Sequence, residues 1–287
     1  MALIDFILNL VALLLWWNWL SIRYDPLAKT SAATLIGTLR KTDKSGPKRW
    51  RLLLALLALL VFRAIVYWEF GASFRWTPIL QLEVINIPFR SDYLTRMMLF
   101  SLLSFLLALG IFYLWMLLLS IVNANVPDTD PLQRLVRVQI KWLEAWPNAL
   151  KLLLPFFIGA LCWLALHPLL SHMAILQKSK SPLQLIQQAA VIGGAAYLGW
   201  KYLIVGILLL HLLSSYIYFG NHPFWNFINV TARNFLAPFR RIPLRVGRVD
   251  FLPVIAIALV FFVCEFFTNP PENPSWYRLW YYRMLPF

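Results

Sequence analysis

The chain has 287 residues, 61% of them apolar and 13% charged, with a mean hydropathy of +0.68 and a formal net charge of +14. Soluble domains hold about 45–50% apolar residues, so the composition excludes a water-soluble domain and makes the chain an integral membrane protein. Its two cysteines, Cys162 and Cys264, fall in apolar segments without a CxxC partner, which excludes a zinc site or thiol attachment of haem and predicts buried packing residues.

A helical span needs about 20 mostly apolar residues, and six segments qualify: 3–22, 52–70, 97–122, 149–170, 196–218 and 251–267. The first carries Asp5, has no Lys or Arg before it and shows no small-x-small cleavage site, so it is expected to stay as a span rather than be removed as a signal peptide.

Three connectors share a layout. SIRYDPLAKTSAATLIGTLRK begins at residue 21, NVPDTDPLQRLVRVQIKWLEAWP at 125 and FGNHPFWNFINVTARNFLAPFRRIP at 219. Each follows one span and precedes another. In each, a polar residue and a proline (Asp25-Pro26, Asp130-Pro131, His222-Pro223) precede a bulky apolar residue. Proline suits the first helical position, where its missing N–H has no intrahelical partner to lose, and Asp before it is a good N-cap. Helical periodicity follows, with Leu27, Leu35, Ile36 and Leu39 in the first copy. Leu132, Leu135, Val136, Ile140 and Leu143 form the second set, and Phe224, Phe227, Ile228, Phe235 and Phe239 the third. These helices are too short and polar to cross a bilayer and are expected at its interface.

The expected fold class is an all-α membrane protein with six transmembrane helices, arranged as three span/interfacial-helix/span repeats. Residues 1–72 form repeat 1, 73–96 an outer loop and 97–172 repeat 2. Residues 173–195 form an outer loop or interfacial helix, 196–268 repeat 3 and 269–287 an aromatic interfacial tail. Gly193 and Gly194, in AAVIGGAAYLGW, suit close helix packing.

Charge predicts orientation, because short cytoplasmic loops retain Lys and Arg. The three connectors carry 8, 4 and 5 of these residues, whereas the opposite loops and tail together carry 7. The connectors therefore face the cytoplasm and both termini the other side, as in a bacterial inner membrane. Bases close to span ends meet anionic headgroups, each worth about 1 kcal/mol. The expected partners are thus membrane lipids and no nucleic acid.

In the third connector, Pro238 ends or kinks the surface helix, Pro243 keeps the chain extended and Gly247 permits a turn into the membrane. Asp250, just before FLPVIAIAL, is placed to cap the last span at its positive dipole end. Arg240, Arg241, Arg245 and Arg248 are within reach of lipid phosphates or a partner. Pro223, Phe224, Pro238, Arg240, Arg241, Pro243, Gly247, Asp250 and Pro253 together resemble the repeat of the YggT/YlmG family of integral membrane proteins, over about 205–265. His222 stands where the family has Asn, and Leu252 where it has Ser. The two upstream copies match in layout alone and are read as degenerate. The resemblance implies the family fold. Through chloroplast relatives it implies a link to cytochrome cofactor assembly, and through others a link to osmotic tolerance.

Ionisable residues inside spans are functional candidates. Arg63 lies ~17 Å into the second span, near the midplane. Lys201 and Glu265 fall toward the outer ends of the fifth and sixth spans, where they either pair or snorkel. His167, His172 and His211 lack a second ligand at helical spacing, so no cofactor is expected. In the tail NPSWYRLWYYR, Trp276 and Trp280 belong to an aromatic belt or a partner contact. The spans carry no paired carboxylates at helical spacing, and the chain has no HExxH and no glycine-rich phosphate loop, so no enzyme is expected. The function expected is a membrane scaffold or accessory subunit supporting a larger complex; the alternative is a small ion or osmolyte channel or transporter.

Overall fold

A computed structural model describes residues 2–21, 49–74, 76–126, 131–217, 220, 222–239, 245–246 and 249–268. The chain divides into two compact units, one made of residues 1–80 and 88–110, the other of residues 81–87 and 111–287.

In the first unit, α1 (Ala2–Ser21) packs against α2 (Arg49–Phe74), together with the beginning of α3 (Leu94–Val122). None of the three contains proline, and runs of Leu and Ala hold each to helical geometry. Ala12, Leu56 and Phe105 form the buried centre, flanked by Leu13, Leu59, Leu60 and Leu109. Ser101 Oγ donates to the Leu60 carbonyl at 2.8 Å, tying α3 to α2. Near the end of α2, a Cβ added to Gly71 would lie 2.4 Å from Ser91 Cβ, so this turn of helix accepts only glycine.

The second unit takes α3 from Ile111 and adds α4 (Pro131–Gln139), α5 (Lys141–Glu144) and α6 (Asn148–His172). Next come α7 (Pro182–Ala195), a 3₁₀ turn (Ala196–Gly199) and α8 (Trp200–Tyr216). Helix α9 (Pro223–Leu236) and α10 (Leu252–Phe267) complete the helices. Both described connector helices start at their proline, Pro131 or Pro223. His222 is the N-cap of α9, its Nδ1 accepting from Phe224 N–H at 3.2 Å. The apolar faces of α4 and α9 are covered by protein in part: Val136 and Ile140 join Phe227, Ile228, Ala232, Ile207, Leu208 and Leu252 in one core, while Leu135 and Phe224 stay exposed. The first connector lies outside the described residues.

At three points the structure departs from these expectations, and residues 182–195 take the helical one of two alternatives. The chain is not purely helical, since β1 (Ile79–Gln81) pairs with β2 (Asn86–Pro88), and β3 (Arg245–Val246) runs antiparallel to β4 (Val249–Asp250). Among the described residues, five helical stretches are long and apolar enough to cross a membrane; α10, an apolar helix of 16 residues, falls just under the lower limit of about 17 for a span. Residues 182–195 are helical and continue toward α8 as part of a 35-residue apolar run, Pro182–Tyr216. This start had a signature: in SPLQ, Ser181 Oγ accepts from Gln184 N–H while Gln184 Oε1 accepts from Lys180 N–H, a near relative of the capping box. Finally, Cys162 is exposed on α6 and Cys264 half-buried on α10, so neither is a core cysteine.

Helices α6 and α7 meet closely. A Cβ on Gly193 would lie 2.5 Å from the Phe156 carbonyl oxygen, and one on Gly159 3.1 Å from Gly193 Cα. Gly194, next in sequence, faces open space.

Candidate functional site: three polar clusters among apolar helices

In the first unit, a single arginine organises the polar groups. Arg63 on α2 is 1% exposed. One guanidinium nitrogen donates to Asn9 Oδ1 at 2.7 Å, the other to Asp5 Oδ1 at 2.7 Å and Ser104 Oγ at 2.9 Å. Tyr67 O–H also donates to Asp5, and Asn9 Nδ2 donates to Ser104 Oγ at 3.1 Å. The rings of Tyr67 and Phe100 lie 5.3 and 5.4 Å from the guanidinium carbon. Only its Nε is buried without a partner.

Desolvating an ion pair costs several kcal/mol per ion, and the attraction offsets this only when further hydrogen bonds complete the geometry. Here Asn9, Ser104 and Tyr67 supply them. Spacing makes this possible: Asp5 and Asn9 stand four residues apart on α1, as do Arg63 and Tyr67 on α2, so each pair shares a helical face. The arrangement neutralises charge inside an apolar helix group.

In the second unit, Lys201 does not take Glu265 as its ion-pair partner. Its Nζ donates to Glu83 Oε2 at 2.7 Å, and Tyr202 O–H donates to Glu83 Oε1 at 3.0 Å. Glu83 stands at the tip of the β1–β2 turn with φ 62°, a left-handed conformation that non-glycine residues seldom adopt. The Val84 N–H donates to the Leu82 carbonyl at 2.7 Å across it, and the Leu82 N–H donates to the Ile85 carbonyl at 2.9 Å. Val84 anchors the tip between Ala195 and Leu198, with Ile85, Val191 and Cys264 around it. Glu265 lies in the same wall as Lys201, beside a cavity of about 420 Å³ that Gln81, Asn86 and Cys264 also line.

A third polar group fixes α9. Asn123 Nδ2 donates to Thr231 Oγ1 at 2.9 Å, Asn234 Nδ2 to Asn123 Oδ1 at 2.9 Å, and Gln133 Nε2 to the Asn123 carbonyl at 3.2 Å. Asn123, Gln133 and Thr231 are all buried. On the other flank, Asn229 Oδ1 lies 2.7 Å from both His211 Nδ1 and Ser214 Oγ. These amides and hydroxyls give the short helix a single seating on α3, α4 and α8.

His167 is buried against Trp163, with ring centroids 5.8 Å apart, and His211 is engaged by Asn229. Among the described residues no group of three His, Cys, Asp or Glu is arranged to hold a metal. Arg240, Arg241, Arg248, Trp276 and Trp280 lie outside the described residues, as do Pro243 and Gly247. Arg245 and Asp250 are described by backbone alone, as opposite residues of the β3–β4 pair. The N-cap position of α10 is Phe251, so Asp250 stands one residue before it.

Residues 192–270 match the CCB3/YggT family. This range contains α8, α9, the β3–β4 turn and α10. Neither the curated proteins nor the solved structures provide a match to the chain.

Proposed function

We propose that this membrane protein, whose residues 192–270 form a CCB3/YggT segment, acts as a non-enzymatic scaffold or accessory subunit that supports assembly of a larger membrane complex. The observation that carries the reading is the pairing of the described ionic groups within the apolar helices. Arg63 is bound to Asp5 and Lys201 to Glu83, so these charges fasten the chain to itself. A conduction path needs polar groups turned toward a passage and binding weak enough to release. The extensive apolar helix surface suits lipid and partner helices, and the arginines at 240, 241, 245 and 248 suit anionic headgroups. In the same reading the chain comprises three span/short-helix/span repeats in the inner membrane, with connectors in the cytoplasm and both termini opposite.

Gentle solubilisation followed by affinity purification tests this. A stoichiometric larger assembly is the expected result. A pure homo-oligomer that carries ions or osmolytes in vesicles would replace the scaffold by the channel reading, which draws on the cavity bounded by Glu83, Lys201 and Glu265.

A further inference from the structure

We propose that the turn joining α5 to α6 binds a phosphate group, as carried by the headgroup of an acidic phospholipid, on the Lys151 ammonium and the first N–H groups of α6. The inference rests on the lipid contact proposed above and gives it a site of its own, apart from the arginines at 240, 241, 245 and 248. Three features of the second unit carry it.

The first is a buried cation without a counter-charge. Lys151, near the start of α6, is 4% exposed. Its Nζ donates to the Glu144 carbonyl at 3.1 Å and makes no ion pair or further hydrogen bond among the described residues. The Glu144 carboxylate is held instead by Arg137 Nε at 3.2 Å. Lysine is almost never fully buried unless paired, because an ammonium withdrawn from water without an anion is costly. Two of its three N–H donors are left for a guest.

The second is the helix start. Pro147, the N-cap of α6, makes no side-chain cap hydrogen bond. The N–H groups of Leu150 and Lys151 both turn back to the Pro147 carbonyl, at 3.0 and 3.2 Å, whereas those of Asn148 and Ala149 have no hydrogen bond among the described residues. Every residue from Glu144 to Leu150 is exposed, so the turn is open to an incoming group. Helical N–H groups point toward the helix start, and helical side chains lean the same way. Lys151 accordingly reaches back past the first turn to Glu144, on the side where those N–H groups open. An ammonium beside a helix N-terminus is a donor set suited to phosphate.

The third is location and local charge. Asn148 begins a 25-residue apolar helix long enough to cross a membrane, Asn148–His172, so the turn before it stands at the height of the lipid phosphates. Residues 131–151 hold Arg134, Arg137, Lys141 and Lys151 against the single acid Glu144. That excess favours a headgroup of net negative charge over phosphatidylcholine, whose phosphate arrives with its own cation.

The test uses the full chain with Cys162→Ala and Cys264→Ala, carrying either Ala149→Cys at the site or Arg233→Cys at an exposed position of α9 as the control. Each is reconstituted into vesicles of phosphatidylcholine or of equimolar phosphatidylcholine and phosphatidylglycerol, and alkylation of its thiol by N-ethylmaleimide is timed. Phosphatidylglycerol is expected to slow the reaction at position 149 about tenfold more than at position 233, the effect of hydrogen bonds to a charged group. Lys151→Met should remove this difference and Lys151→Arg keep it. Inorganic phosphate added to pure phosphatidylcholine vesicles separates the sources. Protection of position 149 by the ion marks free phosphate as a guest of the same site, whereas protection by the lipid alone assigns the headgroup. Slowing no greater at 149 than at 233 with both the lipid and the ion would overturn the site, while leaving a general attraction of acidic lipid to the basic chain; this comparison needs no change at Lys151. A difference that survives Lys151→Met, or is lost in Lys151→Arg, would overturn it as well.

Discussion

Arg63 and Asp5 form a 2.7 Å ion pair between α2 and α1, with the arginine side chain almost completely withdrawn from solvent. Much of α1 is otherwise exposed, so this polar contact, rather than burial, specifies how the helix docks. Small apolar contacts around Ala12 fill the space beneath it.

Removing one member of that pair leaves a buried charge behind. Asp5→Leu is expected to destabilise the first unit by about 3–5 kcal/mol, and Arg63→Leu to weaken assembly without blocking insertion. The double substitution should recover most of the loss, because both charges then disappear. Thermal unfolding of the detergent-purified single and double variants measures the coupling. Losses that simply add would show that the two side chains do not interact.

Neighbouring glycines on α7 should respond with opposite signs. Both substitutions to Ala gain helix propensity, about 1 kcal/mol. Gly194→Ala meets nothing within 4 Å and is expected to stabilise. In Gly193→Ala the new methyl would lie 2.5 Å from a backbone carbonyl of α6, which cannot swing away. A net loss of about 1–3 kcal/mol is expected from such overpacking. Unfolding midpoints of the two variants, compared side by side, check the sign.

The seating of α9 depends on Asn123 and Thr231. Thr231→Val keeps the volume but removes the hydroxyl that accepts from Asn123 Nδ2. The cost expected for a buried donor left unsatisfied is about 1–3 kcal/mol. Ser214→Ala, at a partly buried position where Asn229 still has His211 as a neighbour, should cost less. Stability measurements on both variants rank the two anchoring points.

Orientation is testable with single cysteines in a chain lacking Cys162 and Cys264. Cysteine at Ser181 is expected to react with an impermeant thiol reagent in intact cells, and cysteine at Thr42, Asn148 or Arg233 to be shielded. Arg233 is preferred to Asn234 because it is exposed, whereas Asn234 is bonded to Asn123. Labelling from outside at any of the last three positions would reverse the assignment.

Sequence periodicity located most of the helices because an apolar run of bilayer length has few other fates. It also singled out Arg63, since a lone arginine amid leucines must find a partner. Naming that partner required the faces of α1 and α2 to be paired: Asp5 and Asn9 carried the matching four-residue spacing, but nothing local couples residues more than fifty positions apart. The ion-pair partner of Lys201 was hidden for the same reason. Glu265 lies on an adjacent span and looked available, while Glu83 sits in a segment read as outer loop. Its approach to Lys201 depends on where the β1–β2 turn inserts Val84 among Ala195 and Leu198. Long-range insertion of a turn leaves no periodic trace. By contrast, the SPLQ start of α7 is a local signal, carried by the contacts of Ser181 and Gln184 within one turn.

Four residues of 3₁₀ helix, Ala196–Gly199, interrupt the apolar run from Pro182 to Tyr216. As one straight α-helix that run would reach ~52 Å, well beyond a hydrocarbon core about 30 Å thick. A uniform rod would have to tilt steeply or deform the bilayer. Tightening from 3.6 to 3.0 residues per turn over four residues also rotates the following helix by about 80° relative to uninterrupted winding. The stripe through Ala189 and Gly193 that meets α6 is therefore not continued along α8, which presents Ile207 and Leu208 to α9 and α10 instead. The short segment acts as a phase shifter: it lets one continuous hydrophobic stretch serve two different sets of neighbours, and a change that restored α-helical winding there would turn α8 away from the core it completes.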